Sequence, residues 1–394
     1  MNQESKSTQP TLALEGVTVI ALEQAVAVPY CTSRLADMGA RVIKIERPGG
    51  DFARAYDSAV FGESTYFVWI NRGKESVVLD LKNPDDAAIM DNMIASADVF
   101  IQNLAPGAVA RLGFGADVLR QKYPELITCS LSGYGESGPG SKLKAYDLLV
   151  QAESGLVAVS GAPGDWGRIG VSLCDVGAGM NALIGILDAL ARRRITGEGD
   201  DIQVSLFGTA AELMAVPYLQ TRYGGKEPQR VGLKHPGVAP YGVFRCADER
   251  EVLISIQNER EWVQLCEIFL GDVTVATDPR FHTNSARCEN RDALDETIQR
   301  RFGELKAVRA TALLDKARTA YGFINSVQGL IDHAQLQTTP MPVHDGVALL
   351  PAVPYASSAT PKAFRPVPAV DEHGDRLRNE FSRPRPAVQT DRRE

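Results

Sequence analysis

Asp175 is the residue whose type and setting could support covalent chemistry. It follows Leu173 and Cys174 and precedes a long apolar stretch over Gly179–Leu190. A carboxylate at the start of a helix accepts hydrogen bonds from backbone N–H groups, and spacing alone favours this structural role as a helix N-cap. The chemical alternative is a nucleophile, because a carboxylate in a dry pocket can attack an activated acyl group.

A glycine-rich turn and a second carboxylate precede Asp175. Residues 133–140, GYGESGPG, follow a strand-like segment, and such turns let backbone amides approach a ligand closely. Asp147 lies at the start of a helical pattern over Tyr146–Val159. It is either a helix N-terminal carboxylate or a support for a site around Asp175, and the residues leave both interpretations open.

The elements that must position these residues alternate through the first half of the chain. The predicted strands are Val17–Ala21, Arg41–Glu46, Ser76–Leu81, Asp98–Gln102 and Leu126–Leu131. The predicted helices between them include Pro29–Met38 and Pro84–Ala97. Alternating strands and helices predict an α/β fold, with a doubly wound, Rossmann-like large domain around a parallel sheet.

The second half of the chain predicts a smaller α+β domain at residues 225–335. It contains a hairpin pattern within Tyr241–Gln257 and helical patterns up to Tyr321. Residues 1–224 are assigned to the large domain, and residues 336–394 are expected to return to it. The tail after Val367 is charged and rich in proline, which predicts an extended chain.

The composition narrows the class of protein. The 394 residues are 44% hydrophobic, enough for two domains with separate cores. A net charge of −7 argues against a protein that binds nucleic acid or a membrane surface. Six cysteines without a CxxC pair favour reduced thiols and no metal site. We see no apolar run of membrane-spanning length, and the polar first ten residues predict a disordered leader and a cytoplasmic protein.

Two segments resemble the signature region of the family III coenzyme A (CoA) transferases, the formyl-CoA transferase or CaiB-BaiF-like family. They are residues 133–161 and residues 173–206. The resemblance includes the runs at residues 14–51, 71–82 and 101–114 and weakens in the small domain and tail. Several long motifs in order are more specific than one glycine motif. The nucleophilic aspartate of the family matches Asp175, although the usual glycine before it is Cys174 here.

The resemblance implies the chemistry. The acyl group of a thioester passes to Asp175 as a mixed anhydride, the CoA thiolate then forms an aspartyl-CoA thioester, and a second acid reverses the steps. It implies no permanently bound cofactor, with the CoA thioester as a substrate, and an interlocked homodimer. This chain has a His-Pro-Gly loop in place of a longer glycine-rich lid, which makes it more similar to the itaconate or mesaconate branch of the family. Succinyl-CoA is therefore the expected donor and a small dicarboxylate the expected acceptor.

The resemblance also assigns site residues. Those expected to bind CoA are Ala25, Ala27, Arg47, Leu79, Lys82, Asn103, Leu104, Arg111 and Lys144, and those expected to support the reaction are Gln24, Tyr146 and Asp147. Positive groups must face the phosphates of CoA, so an acidic protein has to concentrate them. Lys234 and His235 match a loop near the substrate and could bind a second carboxylate, although His235 reads equally well as a loop histidine without a role.

The residue at position 146 separates two activities of the family. The racemases that act on α-methylacyl-CoA have a His–Asp pair where this chain has Tyr146 and Asp147. Tyrosine, with a reference pKa near 10, is a poor base at neutral pH, so a transferase is favoured over a racemase. A CoA-binding protein without catalysis is the other alternative, and it would tolerate the loss of Asp175.

Overall fold

The computed structural model of the protein describes residues 12–383. The predicted leader and the last part of the predicted tail, residues 384–394, lie outside this range. The described chain divides into a larger unit of residues 12–154, 169–215 and 337–383 and a smaller unit of Gly155–Arg168 and Val216–Leu336. The smaller unit thus includes a stretch near position 160 that the sequence analysis placed in the large domain. Gly232 N–H donates to Gly161 O at 2.9 Å and ties this stretch to the smaller unit.

Six parallel strands form the sheet of the larger unit. They are β1 Thr18–Leu22, β2 Arg41–Glu46, β3 Lys74–Val78, β4 Val99–Gln102, β5 Ile127–Ser132 and β6 Asp201–Ser205. Their order, β3-β2-β1-β4-β5-β6, is that of a doubly wound sheet, and the predicted α/β class with a parallel sheet is confirmed. The sequence analysis missed β6, because Asp201 and Gln203 interrupt its apolar pattern.

Helices cover both faces of this sheet. They are Ala27–Asp37, Thr65–Ile70, Pro84–Ile94, Ala108–Arg111, Ala116–Lys122, Asp147–Glu153, Leu173–Thr196, Leu206–Leu213 and Gly374–Glu380, with a 3-10 turn at Phe52–Ala55. On one face, Ile20, Ile43 and Phe100 pack in a buried cluster with Met90 and Met93. Alternate strand residues point to the other face. There the first helix contacts β1 and β2, and the longest helix contacts β5 and β6.

The longest helix carries Asp175 and runs from Leu173 to Thr196. Asp175 lies in its first turn and Ser172 at the N-cap position, so the N-cap interpretation of Asp175 is wrong. One side of the helix is buried, whereas Ile184 on the other side is 63% exposed. By length and composition this helix could cross a membrane, so the prediction that no apolar run has membrane-spanning length is wrong. Its packing on β5 and β6 is that of a core helix.

The smaller unit has a three-stranded antiparallel sheet. Its strands are β7 Tyr241–Arg245, β8 Glu251–Ser255 and β9 Ala320–Phe323, in the order β7-β8-β9. Its helical segments are Leu156–Val159, Ala215–Gly224 (which begins at the boundary), Glu259–Gln264, Leu265–Leu270 (a π-helix), Val273–Thr277 (a 3-10 helix), Asn284–Glu289, Arg291–Gly303, Ala307–Ala317 and Val327–Ile331. The core contains Trp262, Phe269 and Phe302. The hairpin predicted from the sequence is formed by β7 and β8.

The last described segment lies with the larger unit. It begins with an antiparallel hairpin of β10 Thr338–Val343 and β11 Gly346–Pro351. Further on, Asp371 accepts a hydrogen bond from Val78 N–H at 2.7 Å, at the outer edge of β3. The prediction of an extended tail is wrong at Gly374–Glu380, which is helical, because Leu377 and Phe381 pack into the core beside the sheet.

Candidate active site

A cleft of about 280 Å³ opens beside the carboxyl ends of β1, β2 and β3. It is lined by Leu22, Glu23, Gln24, Ile45, Glu46, Arg47, Pro48, Gly50, Asp51, Leu79, Asp80, Leu81, Lys82, Leu104 and Leu112. In doubly wound sheets, ligands bind outside the carboxyl ends of the strands near the switch in strand order, which here falls between β1 and β4. The cleft therefore lies where this fold places its ligands.

Five residues that the sequence analysis assigned to the site line this cleft together: Gln24, Arg47, Leu79, Lys82 and Leu104. Leu79 is 2% exposed, whereas Arg47 and Lys82 are exposed at the edge of the cleft. Apolar side chains pack against a flat ligand group, and cations attract phosphate oxygens. The cleft thus has an apolar floor, and its edge carries Arg47 and Lys82, which can attract phosphate groups, beside the exposed Asp80.

The turn after β1 is held in place by Asn103. Gln24 N–H donates to Asn103 Oδ1 at 3.0 Å, and Asn103 Nδ2 donates to Gln24 O at 2.8 Å. The next residue, Ala25, has a φ of +60°, a left-handed conformation that is uncommon for a residue with a side chain. Asn103, which was expected to contact CoA, is therefore used by the protein to fix the turn that carries Gln24.

The other residues predicted to bind CoA do not line the cleft. Ala27 begins the first helix and is buried. Arg111 ends the short Ala108–Arg111 helix, with its guanidinium close to Gly107. Lys144 is exposed in the loop before the Asp147–Glu153 helix. Their contacts with CoA remain predictions.

Asp147 and Asp175 lie together at the starts of two helices. Asp147 Oδ1 accepts hydrogen bonds from the N–H groups of Cys174 at 2.7 Å and Asp175 at 3.2 Å. Gln151 Nε2 donates to Asp147 Oδ2 at 2.6 Å. Asp147 thus caps the helix that carries Asp175. Within residues 12–383, the Asp175 carboxylate makes no hydrogen bond of its own and is available to another molecule.

The electrostatic setting of Asp175 is unusual for a carboxylate. Burial, and secondly the negative charge of Asp147, raises the pKa of Asp175 from 3.8 to about 7. A carboxyl group perturbed this strongly is typical of a functional site. Near neutral pH it can lose its proton, and a carboxylate with little solvation is more reactive than one in water.

Tyr56, which was not singled out from the sequence, lies near Asp175 and is 48% exposed. Burial raises the pKa of its phenol, and the charges of Asp51 and Asp175 raise it further. Because Asp51 lines the cleft, Tyr56 lies within electrostatic reach of both the cleft and Asp175. Its ring packs edge-on against Tyr66, with 5.4 Å between centroids. No sequence motif marks Tyr56, since its proximity to Asp175 arises only in the folded chain.

Three further predicted residues have identifiable surroundings. Tyr146 directly precedes the Asp147–Glu153 helix and is 68% exposed. In the smaller unit, Lys234 Nζ forms an ion pair with Asp295 Oδ2 at 2.7 Å. The ring of His235 stacks on Tyr241, with 5.4 Å between centroids.

The sequence of this chain matches the family model described as CoA-transferase family III over residues 14–374. The chain belongs to CoA-transferase family III. The family predicted from the sequence is thereby confirmed, and the protein is an enzyme. Family III CoA-transferases use CoA thioesters as substrates. CoA contains a nucleotide, and the cleft beside β1, β2 and β3 is consistent with binding it.

Relatives of this family III CoA-transferase are similar over nearly its full length. Acetyl-CoA:oxalate CoA-transferase of Acetobacter aceti is 36% identical, over 97% of this chain and 99% of the relative. Succinyl-CoA:glutarate CoA-transferase of Mus musculus is 32% identical, over 94% of this chain and 86% of the relative. The crystal structure of a CAIB/BAIF family protein from Brucella suis is 30% identical, with a TM-score of 0.81, and covers 94% of this chain and 100% of that one.

Proposed function

We propose that this family III CoA-transferase moves CoA from succinyl-CoA to a small dicarboxylate such as itaconate or mesaconate, with Asp175 as the covalent carrier. The proposal depends on one observation, the half-buried Asp175 carboxylate whose pKa is raised to about 7 beside Asp147. The names of its relatives, which include glutarate and oxalate, support a dicarboxylic acid as the acceptor.

The proposed reaction passes through a series of covalent intermediates on Asp175. One carboxylate oxygen attacks the thioester carbonyl, the C–S bond breaks, and the electron pair leaves with the CoA thiolate. The thiolate attacks the Asp175 carbonyl of the resulting anhydride, which releases succinate and leaves an aspartyl-CoA thioester. The acceptor carboxylate attacks this thioester to form a second anhydride, and the thiolate then attacks its acyl carbonyl and frees Asp175. The scheme requires that water be kept from these intermediates, because hydrolysis would lose the energy of the thioester.

The surrounding residues have separate roles in this proposal. Arg47 meets the adenine and phosphate end of CoA, and Leu79 and Lys82 line the adenine site. Leu104 and Arg111 approach the diphosphate and the pantetheine arm, and Lys144 helps to close the pocket. Ala25 lies in the turn beside the thioester, Asn103 holds this turn, and Ala27 begins the helix that follows it. Asp147 holds the start of the Asp175 helix, and Gln24 and Tyr146 border the reacting groups. Lys234 and His235 bind the second carboxylate of the acceptor.

A screen of acceptors tests this function. The purified protein is incubated with succinyl-CoA and, in separate reactions, itaconate, mesaconate, glutarate or oxalate, and the CoA thioesters are measured by mass spectrometry. We expect a new acyl-CoA with at least one acceptor and little free CoA. No new thioester with any acceptor would contradict the proposal, as would exchange of the α-proton of a 2-methylacyl-CoA in deuterated water, which would indicate a racemase.

Replacing Asp147 with asparagine should move the pH dependence of transfer towards acid. Asp175 reacts when ionised, so the rate in the wild type should rise with pH to a midpoint near 7. Asp147→Asn removes the neighbouring negative charge, and the midpoint should fall by about one pH unit. The initial rate is measured from pH 5 to 9. Glu153→Gln, at the exposed end of the same short helix, is the control and should leave the midpoint unchanged.

We also propose that the enzyme is a homodimer, as the family resemblance implies. Ile184 and Met180 are 63% and 43% exposed on the Asp175 helix, and Leu213 is 51% exposed on the helix that contacts it. A surface with several large apolar side chains is typical of a protein interface.

Substituting a charge into this apolar surface should weaken the dimer. For Ile184→Glu we expect the sedimentation coefficient to move towards that of the monomer in analytical ultracentrifugation. Val118→Glu replaces an exposed valine, 56% accessible, on a different helix and serves as the matched control. A monomeric wild type would contradict this proposal.

A further inference from the structure

Four charged side chains are completely buried beneath the turn that carries Gln24. They are Glu23, Lys44, Asp51 and Lys74, and each side chain has 0% exposure. Lys44 Nζ lies 2.9 Å from Asp51 Oδ2 and 3.4 Å from Glu23 Oε1, and Lys74 Nζ lies 2.6 Å from Glu23 Oε1. Two lysines and two carboxylates balance, so the cluster has no net formal charge.

Asp51 connects this cluster to the turn. Its Oδ1 accepts hydrogen bonds from the N–H groups of Ala25 at 3.3 Å and Ala53 at 3.0 Å, while its Oδ2 binds Lys44. Ala25 has the left-handed φ of +60°, which is unfavourable for alanine unless its surroundings impose it. With Asn103 holding Gln24 and Asp51 holding Ala25, the turn has hydrogen-bonded support at two successive residues.

The same turn is close to the proposed nucleophile. Ala25 and Val176, the residue after Asp175, both pack against the buried cluster of Val26, Tyr30 and Ile70. A change in the Ala25 backbone would therefore be transmitted through this cluster to the residue beside Asp175.

Stability alone does not account for such a cluster. Removing four charges from water is costly, and apolar side chains of similar volume often stabilise a protein as much or more. A charged and hydrogen-bonded cluster does provide a fixed geometry, and small displacements in an active site can reduce the rate by about 100-fold.

We propose that Asp51 is a positioning residue for acyl transfer, which holds Ala25 in its left-handed conformation and thereby sets the position of the Gln24 turn relative to the thioester. This inference rests on the proposed role of Asp175. Asp51 does not touch the reacting atoms in this scheme and acts through the backbone of the turn.

The test compares Asp51→Asn with Asp37→Asn. Asp37 is also a nearly buried carboxylate, 7% exposed and paired with Arg72, but it lies at the far end of the first helix. The rate of labelling of Asp175 by succinyl-CoA is followed by quenched-flow mass spectrometry, and the Kd of CoA is measured by calorimetry. For Asp51→Asn we expect labelling and kcat to fall by about 10- to 100-fold with less than a threefold change in Kd. Asp37→Asn should label at the wild-type rate.

A second substitution distinguishes positioning from general damage. Glycine adopts a positive φ without strain, so Ala25→Gly should recover several-fold of the rate lost in Asp51→Asn. If Asp51→Asn does not fold, Ala25→Val keeps all four charges but opposes a positive φ, and Asp175 should be labelled slowly in this variant. Wild-type labelling in Asp51→Asn, or in Ala25→Val, would overturn the inference. A wild-type enzyme that is never labelled on Asp175 would instead overturn the proposed function.

Discussion

Replacing Asp175 with asparagine is expected to reduce CoA transfer by on the order of 10⁴- to 10⁶-fold, because the substitution removes the covalent carrier. The amide is nearly the same size as the carboxylate, so packing at the start of the helix should be unchanged. The thioester intermediate should also disappear. In the wild type, succinyl-CoA followed by borohydride should reduce the Asp175 side chain, and the modified peptide is identified by mass.

The control for this prediction is on the same helix. Asp188 is exposed and forms an i,i+4 ion pair with Arg192, at 2.9 Å, away from the cleft. Asp188→Asn should retain full activity and full labelling of Asp175. An Asp175→Asn protein with more than a small fraction of wild-type activity, shown to be free of deamidation by mass, would exclude the covalent mechanism.

The same substitution should make the protein more stable at neutral pH. The pKa of Asp175 is about 7 in the folded protein and near 3.8 when the chain is unfolded. The unfolded chain therefore loses this proton at lower pH than the folded protein does, and ionisation favours unfolding. The free energy of unfolding lost through ionisation of Asp175 is zero below pH 3.8, grows between about pH 4 and 7, and is constant above pH 7. Allowing for partial exposure, it amounts to about 2 kcal/mol.

Thermal unfolding at several pH values measures this cost. Asp175→Asn should melt a few degrees above the wild type at pH 8, and the difference should shrink progressively towards pH 4.5. Asp188→Asn should follow the wild type at each pH. A difference that does not depend on pH would show that Asp175 is not the group responsible. Together with the loss of activity, a pH-dependent increase in melting temperature would show that the buried Asp175 carboxylate is needed for activity but lowers the stability of the protein.

Several elements of the fold could be predicted from local sequence, because their signals are local. The apolar runs of β1, β2, β4 and β5 and the alternation with helices predict a parallel sheet. The helix predicted over Pro84–Ala97 is present at Pro84–Ile94, where Asn83 at the N-cap accepts a hydrogen bond from Asp85 N–H. Long motifs around residues 133–206 identified the family, since their order along the chain carries information that no single residue has.

Other elements could not be read from local sequence. The helix predicted over Tyr146–Val159 is divided at Gly155, whose φ is +85°. The tail helix at Gly374–Glu380 forms because Leu377 and Phe381 find a place in the core, which their charged neighbours do not reveal. In both cases packing and backbone geometry override local propensity.

The sequence by itself determined the α/β class and the family, and it singled out Asp175 as the candidate nucleophile, because these depend on residue types and their order. The tertiary structure decided the surroundings of Asp175. Asp147 accepts hydrogen bonds from the amides at the start of the helix that carries Asp175, and Tyr56 lies within electrostatic reach. It also brought together the four buried charges, of which Glu23 and Lys74 are 51 residues apart. A pKa and an ion pair depend on distance and burial, and these quantities exist only once the chain has folded.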